Sequence, residues 1–312
     1  MRGIKQSTRP DCSSRRLWLQ QFSAMTFGAA YAASPLALAA NGVVSVKANA
    51  RRIVSIGGAL TEIVYALQAQ SELVAVDTTS SFPDAAQKLP NVGYARSLSI
   101  EGVLAMAPTM ILATEDAGPP GVIRQLSASG IPVNIVAANH RFQGLLDRVN
   151  RIGDLTGRAA NAKKLVQQLE SEWQSVQTTL KNLKERRALF ILSHSASQIM
   201  VAGKDTSAQA MMDYACITNA VDGFSGYKPL TPEAVIAAKP DIILVTDQGL
   251  NAVGGVDGIL KLPGLSRTPA GQKKQVISFE AMYMLGFGPR LPSAVAALNT
   301  AVDKALTKVS SV

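Results

Sequence analysis

Short apolar runs alternate with amphipathic stretches along most of the chain. Residues 53–56 form an apolar run, which is followed by a glycine pair and then by a stretch with helical periodicity. Apolar runs of strand length recur in "ELVAVDTT", "MILATE" and "VNIVA", the last of them after a helical stretch that ends at Gly130. Strands that alternate with helices are typical of βαβ units, so the pattern predicts an α/β fold with mostly parallel central sheets.

The pattern changes over residues 141–186, where charged residues are frequent and no glycine or proline follows Gly157. Apolar residues recur there every three or four positions, which indicates helix with one covered face. The stretch "AANAKKLVQQLESEWQSVQTTLKNL" would on its own form a helix about 37 Å long. We therefore predict an N-terminal α/β lobe over 43–140, a helical linker over 141–186 that includes a long rigid interdomain helix, and a C-terminal α/β lobe over 187–312.

An internal repeat links the two predicted lobes. The segments "SIEGVLAMAPTMILAT" and "TPEAVIAAKPDIILVT", which are 132 residues apart, share a hydroxyl residue, a glutamate, an apolar helix, a proline and a strand. The hydroxyl is placed to cap the helix, and the glutamate lies at the positive end of the helix dipole. The repeat indicates two related lobes with the long helix between them.

Each copy of the repeat follows a loop that begins with glycine and pairs a tyrosine with a cation. The first loop holds Tyr94 and Arg96, and the second holds Tyr227 and Lys228. In two facing lobes, both loops would line the same cleft. The alternative is that both tyrosines merely pack against their own helices.

Composition and charge narrow the class of ligand. The chain has 312 residues, of which 47% are hydrophobic and 17% charged, and this is enough for two globular lobes. The net charge is +9, and the first 40 residues, with five basic residues and one acidic residue, leave +5 for the remainder. Such an excess of positive charge suits an anionic ligand. The sequence has no basic cluster with interleaved aromatic residues, so nucleic-acid binding is not predicted.

The first 40 residues are typical of a signal peptide. In "SSRRLWLQQFSAMTFGAAYAASPLALAANG" an arginine pair precedes a long uncharged run that ends in an Ala-x-Ala pattern. We predict cleavage near Ala39 or Ala40 and a periplasmic protein that is soluble after cleavage. The arginine pair favours the twin-arginine route, with the general export route as the alternative. An uncleaved membrane anchor is disfavoured because polar residues and a proline interrupt the apolar run.

The remaining chemistry does not indicate an enzyme. Cleavage would remove Cys12 and leave Cys216 as a single thiol, so neither a disulfide nor a structural zinc site is predicted. The chain has no nucleophile elbow, P-loop or dinucleotide-binding glycine motif. Its two histidines, His140 and His194, each follow an apolar strand, which is where ligands bind in open α/β sheets. Either histidine could equally be structural.

Several motifs together resemble a known family. The leader, "VSIGGALTEIVYAL", "VGYARSLSIEGVLAMAPTMIL", "GYKPLTPEAVIAAKPDIILVT" and "LGFGPRLPSAV" resemble the periplasmic heme-binding proteins of bacterial ABC heme-uptake transporters, within a class that also binds siderophores and cobalamin. The likeness covers residues 51–305. It implies a monomeric, non-catalytic carrier that captures ferric heme between two lobes and delivers it to a permease driven by an ATPase. The alternatives are a siderophore or cobalamin carrier and an exported heme-modifying enzyme.

The resemblance also implies the residues that would hold heme iron. Tyr94 matches the axial tyrosine of the family, and Arg96 matches a nearby arginine in the same loop. A phenolate suits ferric iron, and a neighbouring cation stabilises the phenolate. His194 resembles the second iron ligand of those members that hold two stacked hemes, so the chain would carry one heme or two.

Further residues of the expected site would contact the rest of the heme. Lys228 and Arg290 are expected to join Arg96 as partners of the propionates. Met284, with its neighbours in "AMYML", is expected to pack on the porphyrin, the alternative being a role as core filler. Gln248 departs from the arginine that some members have at this position, which weakens the case for a cationic clamp there.

Two glutamates of the repeat are expected to dock the protein on its permease. Glu101 and Glu233 match positions that form salt bridges to permease arginines in cobalamin-binding relatives. Each would lie at the start of a surface helix, with one glutamate in each lobe. The alternative is that both glutamates only stabilise the first turn of their helices.

Overall fold

Two sheets and a pair of helices between them form the part of the chain that the computed structural model describes. The described residues are 51–137, 139–195, 198–229 and 231–307, without the side chains of residues 184, 193–195 and 198. The predicted signal peptide and its cleavage position lie outside them. Within them, no helix is long and apolar enough to cross a membrane.

The first sheet has four parallel strands in the order β2-β1-β3-β4. Together with its helices it is called the N-terminal lobe. Because its strands are parallel, their carboxyl ends all lie at one edge of the sheet, which is the edge where ligands bind in such folds. The elements are β1 (Ile53–Ile56), α1 (Gly58–Ala66), β2 (Leu73–Val76), α2 (Ile100–Leu104), β3 (Met110–Thr114), α3 (Pro120–Ala128) and β4 (Val133–Val136).

Two helices follow the first sheet, within the segment that the sequence predicted to be helical. They are α4 (Phe142–Thr156) and α5 (Ala159–Thr179), and between them Gly157 adopts a left-handed conformation with φ of 69°. This conformation ends a helix and is readily adopted by glycine. The chain therefore turns back, and α5 packs along α4 instead of extending from it. The predicted long helix that begins at Ala159 is therefore present as α5, with α4 before it in the same helical segment, and the lobe boundaries at 140 and 187 stay a prediction.

The second sheet is mixed and forms the C-terminal lobe with its helices. Its strand order is β10-β9-β5-β6-β8, with β7 beside β5, and β6 is antiparallel to both β5 and β8. The predicted α/β fold is confirmed, although this sheet is less parallel than expected. The elements are β5 (Leu183–Ser195), β6 (Gln198–Ala202), α6 (Ser207–Tyr214), β7 (Ile217–Asn219), β8 (Tyr227–Pro229), α7 (Pro232–Ala238), β9 (Ile242–Thr246), α8 (Asp247–Ala252), α9 (Gly255–Lys261), α10 (Pro269–Gln272), β10 (Val276–Phe279), α11 (Ala281–Leu285) and α12 (Leu291–Thr307).

The largest core cluster includes residues from both lobes and from the helix pair. Buried members include Ile63 of α1, Leu145 of α4, Phe190 of β5 and Leu298 of α12. An aromatic series extends the same contact, because Trp173 of α5 stacks on Phe142 with ring centroids 4.7 Å apart and meets Tyr214 of α6 edge-on. Burial of shared apolar surface is the main force that holds such elements together. The lobes are therefore joined by packing as well as by the chain.

The internal repeat corresponds to matching local structure in both lobes. The hydroxyl of Ser99 accepts a hydrogen bond from the backbone N–H of Gly102 at 3.0 Å, and the hydroxyl of Thr231 accepts one from Ala234 at 3.3 Å. Each residue thereby satisfies a free N–H group in the first turn of α2 or α7. Each capped helix then leads into a buried parallel strand, β3 or β9.

The chain passes closely by its neighbours where α1 begins, directly after β1. Substitution of Gly58 at this position tests that close packing. A Cβ at this position would overlap the backbone carbonyl of Thr79 and lie 3.1 Å from the methyl group of Met282. We expect Gly58→Ala to lower the free energy of unfolding by about 2 kcal/mol, as overpacking does, when measured by urea denaturation. Gly121→Ala is the control, because the nearest atom to its Cβ would be a guanidinium nitrogen of Arg124 at 3.9 Å. Equal stability of the two variants would contradict the close contact at Gly58.

Candidate functional site

A cavity of about 440 Å³ opens where the carboxyl ends of strands from both lobes meet. This volume is within the range of small-molecule sites, which are concave and have a few polar groups among apolar ones. The N-terminal lobe contributes residues that follow β2, and the C-terminal lobe contributes residues that follow β9 and β10. The lining residues are Thr78, Thr79, Ser81, Tyr94, Gln248, Glu280, Ala281 and Met282.

A buried aspartate fixes the N-terminal wall of this cavity. Asp77, which is 1% exposed, accepts hydrogen bonds from the backbone N–H of Gly57 at 2.9 Å and from both the N–H and the hydroxyl of Thr79. The Thr79 hydroxyl in turn accepts a hydrogen bond from the N–H of Gly58 at 2.8 Å. A carboxylate that accepts several such bonds holds a loop firmly. Sequence reasoning missed Asp77, whose signal is a carboxylate directly after a buried strand.

Tyr94 lies on a loop whose backbone is held at several points. Gly93, with φ of 96°, accepts a hydrogen bond at its carbonyl from the N–H of Thr78, and the carbonyl of Tyr94 accepts one from Ser97 at 2.8 Å. The side chain of Tyr94 is nevertheless 36% exposed and lines the cavity. An exposed aromatic ring on a fixed backbone is a ready contact for a ligand.

Arg96 connects the Tyr94 phenol to a carboxylate. One guanidinium nitrogen of Arg96 donates to the Tyr94 hydroxyl oxygen, and the other donates to Asp116. The hydroxyl of Thr114 donates to the other oxygen of Asp116 at 2.6 Å. Burial lowers the pKa of Arg96, but Asp116 and Tyr94 raise it by more, so the guanidinium stays charged. The expected pairing of Tyr94 with Arg96 is present, whereas Asp116 was not anticipated.

Tyr227 occupies the matching loop of the C-terminal lobe but points elsewhere. Its hydroxyl is 3.4 Å from that of Ser207 at the start of α6, its ring is half-buried, and it is not among the described residues that line the cavity. Burial raises the pKa of Tyr227 by more than the Ser207 hydrogen bond and the charge of Arg96 lower it. Lys228 is exposed, and its ammonium group is 4.9 Å from the centroid of the Phe224 ring.

Arg290 joins the two lobes beside the cavity. Its guanidinium donates to both carboxylate oxygens of Glu62 on α1, at 3.0 and 2.6 Å, and lies 4.0 Å from the centroid of the Phe82 ring. A third contact, at 3.4 Å, is to Glu280. Arg290 was expected to bind propionates, but in this structure it is held by carboxylates. We call the Arg290–Glu62 contact the cross-lobe ion pair.

Burial is the dominant influence on the acidic member of the cross-lobe ion pair. Glu62 is 5% exposed, and burial raises its pKa by more than the hydrogen bond and charge of Arg290 lower it. Burial lowers the pKa of Arg290, but Glu62 raises it by more. Glu62 therefore relies on Arg290 for its charge compensation, as buried carboxylates generally rely on a partner.

The methionine that lines the cavity is Met282 and not Met284. Met284 is 2% exposed and packs in the core cluster shared by the lobes. Both residues lie on α11, and positions two apart on a helix do not share a face. Both methionines were expected to pack on a ligand, and of the two only Met282 lines the cavity, whereas Met284 has the alternative role of core filler.

The structure describes the side chain of His140 but not that of His194. His194 lies near the end of β5, beside an irregularity in the pairing of β5 with β6, and its side chain is outside the described part of the chain. A ligand role for His194 stays a prediction. The ring of His140 meets that of Phe287 edge-on at 5.4 Å. Burial and the charge of Arg148 lower the pKa of His140 by more than Glu115 and Asp116 raise it.

The two glutamates of the repeat are both exposed. Glu101 lies in the first turn of α2 and Glu233 in the first turn of α7. Neither lines the cavity, as expected for residues that contact a partner and not a ligand. Among the described residues, no group of three or more histidine, cysteine, aspartate or glutamate side chains could hold a metal ion.

Three comparisons connect this geometry with known proteins. A sequence profile of the family described as "Periplasmic binding protein" matches residues 53–283. The structure superposes on that of the periplasmic heme-binding protein BhuT in complex with two hemes, with a TM-score of 0.76 and 40% identity, over 82% of this chain and 99% of BhuT. The uncharacterized ABC transporter substrate-binding lipoprotein YvrC of Bacillus subtilis (strain 168) is 28% identical over 268 residues, which are 85% of this chain and 83% of YvrC. The vitamin B12-binding protein of Yersinia pestis (strain Pestoides F) is 37% identical over 84 residues, or 27% of this chain and 30% of that protein.

Loss of the cross-lobe ion pair should destabilise the protein. Arg290→Ala leaves Glu62 buried without its partner, and we expect the free energy of unfolding at pH 8 to fall by about 3 kcal/mol. The loss should be smaller at pH 5. The pKa of Glu62 is raised in the folded state above its unfolded value, so at low pH the protonated Glu62 carboxyl stabilises the folded state. This stabilisation is lost as the pH rises through the folded-state pKa.

Urea denaturation at both pH values measures this effect. Lys274→Gln is the control, because the Lys274–Asp257 pair is 71% and 81% exposed and its loss should change stability by less than about 0.5 kcal/mol. If Arg290→Ala unfolds with the same free energy as the unchanged protein at pH 8, Glu62 does not depend on the pair.

Proposed function

Since the chain belongs to the periplasmic binding protein family, we propose that it captures ferric heme in the cavity between its lobes and delivers it to the permease of an ABC transporter. The observation that carries the proposal is the exposed phenol of Tyr94, which lines the cavity and receives a hydrogen bond from Arg96. The likeness to a protein that binds heme, at 40% identity over most of this chain, supports the same ligand.

The chemistry of Tyr94 suits oxidised iron. Ferric iron is a hard Lewis acid, and tyrosine oxygen is one of the axial ligands that proteins offer to heme. Arg96 stabilises the anionic form of the phenol, because a hydrogen bond and a nearby positive charge both favour a phenolate. Ala281 and Met282 give the opposite wall of the cavity an apolar surface for a porphyrin face. A phenol oxygen and an apolar wall in one cleft are the observations that support heme as the ligand.

The remaining expected contacts are part of the same proposal. Lys228, which is exposed, and Arg96 are the expected partners of the propionates, although Arg96 also donates to Tyr94 and Asp116, and Arg290 is held in the cross-lobe ion pair. His194 would provide a ligand for a second heme, and a hemin titration to its end point counts one heme or two. The family consists of solute-binding proteins, and we propose binding without catalysis.

Cobalamin is the second candidate ligand, because 84 residues are 37% identical to a vitamin B12-binding protein. A cobalamin carrier does not need a phenol at Tyr94 to hold iron. The two ligands can be distinguished by adding cyanocobalamin and hemin separately to the purified protein. Tight binding of cyanocobalamin with no change in the hemin spectrum would favour the second candidate.

Delivery would take place at a membrane, through the two repeat-related helices. Glu101 and Glu233 are exposed at the first turns of α2 and α7, where they are free to reach arginines of a permease. One glutamate lies in each lobe, which suits a permease of two similar subunits. We place the mature protein in the periplasm as a monomer, after cleavage of its signal peptide near Ala39 or Ala40.

Tyr94→Phe tests the ligand. Removal of the phenol oxygen should abolish the charge-transfer band of ferric phenolate and weaken hemin binding at least tenfold, in absorbance titrations of the purified protein. Tyr227→Phe should keep the band, because the Tyr227 hydroxyl points to Ser207. Tyr65→Phe, on the half-buried face of α1, is the matched control. A band that survives in Tyr94→Phe would refute the assignment.

Charge reversal tests the docking surface. The double variant Glu101→Arg/Glu233→Arg should abolish heme-dependent growth of cells that carry the transporter, because two salt bridges become two like-charge contacts. Its hemin affinity should equal that of the unchanged protein, since neither residue lines the cavity. Glu170→Arg, on the exposed face of α5, is the control for added charge. Normal growth with the double variant would remove these glutamates from the docking surface.

A further inference from the structure

We propose that Asp116 is a positioning residue that holds Arg96 on the Tyr94 oxygen and so controls the strength of the iron–phenolate bond. The proposal rests on the heme-binding function proposed above. Asp116 touches neither the Tyr94 oxygen nor the cavity lining in the described part of the chain. Its influence on a bound iron would therefore pass through Arg96.

The guanidinium of Arg96 has two donor ends with different partners. One nitrogen donates to the Tyr94 oxygen and the other to an oxygen of Asp116. A free arginine side chain has many rotamers, and the loss of this freedom has an entropic cost. Because the guanidinium is planar and rigid, fixing one end also fixes the direction of the other. Asp116 thereby holds Arg96 in one conformation before a ligand binds.

Asp116 is itself aimed by the end of β3. The hydroxyl of Thr114 donates to Asp116 at 2.6 Å, and the carbonyl of Thr114 accepts a hydrogen bond from Ala117, which closes a turn around Asp116. Burial raises the pKa of Asp116, but the Thr114 hydrogen bond and the charge of Arg96 lower it by more. The carboxylate therefore remains ionised as the pH falls below neutrality, and it keeps its hold on Arg96.

Backbone hydrogen bonds tie the Asp116 turn to the Tyr94 loop. The N–H of Gly118 donates to the carbonyl of Ala95 at 2.8 Å, and the N–H of Leu98 donates to the carbonyl of Gly118 at 2.9 Å. Ala95 and Leu98 are each 5% exposed, so both bonds lie over buried side chains. The backbones of the two loops are consequently held together, which keeps Asp116 and Tyr94 on adjoining segments.

The exposure of the pair argues against a role in stability. The side chains of Arg96 and Asp116 are 58% and 49% exposed, and ion pairs at such sites contribute little to folding. A carboxylate close to a phenolate would also weaken that phenolate by direct repulsion if Arg96 did not lie between them. The positioning effect and the direct effect have opposite signs, so an experiment can separate them.

The test measures the pH at which half of the hemin complex loses its ferric phenolate band during acid titration. In Asp116→Asn, Arg96 loses its anchor and leaves the phenolate oxygen, so the midpoint should rise by about one pH unit. Thr114→Val should also raise the midpoint, but by less, because the Asp116 carboxylate stays and loses only its hydrogen bond from Thr114. Asp116→Asn keeps the side-chain shape at an exposed site, and an unchanged urea midpoint verifies its fold.

The same substitution in the Arg96→Ala background decides the route. If Asp116 acts through Arg96, Asp116→Asn should produce no further rise in that background. If Asp116 acts directly, the substitution should lower the midpoint in both backgrounds, and this result would overturn the proposal, as would an unchanged midpoint in the single variant. Failure of the proposed function would look different, because the unchanged protein would then show no Tyr94-dependent band at all.

Discussion

A parallel sheet places the carboxyl ends of all its strands at one edge, and this constraint determines where chemistry can occur in the molecule. Tyr94 and Asp116 follow strands of the first sheet, and Gln248 and Glu280 follow strands of the second. These side chains are far apart in sequence but come together because both edges face the same cleft. Packing of the helix pair against both lobes holds the two edges in place.

Much of this arrangement could be predicted from the order of residues. The alternation of strand and helix patterns gave the fold class, and the repeat gave two related halves with capped helices. Tyr94 and Arg96 were found because they are two residues apart in a short loop, so their proximity needed no knowledge of the fold. Local features of this kind are visible in a sequence because propensity, capping and spacing act within a few residues.

Other parts depend on contacts between residues that are distant in the chain. Arg290 and Glu62 are separated by 228 positions, and nothing in either neighbourhood indicates the other. For the same reason Arg290 was expected to be available to a ligand. The predicted long helix began at Ala159 as observed but was extended to Leu183 instead of Thr179, because apolar residues at helical spacing continue past its end. The sequence named both Met282 and Met284, and it could not show which of them lies on the face of the short helix α11 that meets the cleft.

The buried carboxylate at Glu62 has a bearing on how cargo could leave. If the halves of the molecule were pulled apart, Glu62 and Arg290 would lose each other as partners. Such a separation raises the free energy, so the molecule would stay closed around its load most of the time. Unloading by that route needs work from outside the carrier, and nucleotide hydrolysis in a transport machine is a source of such work.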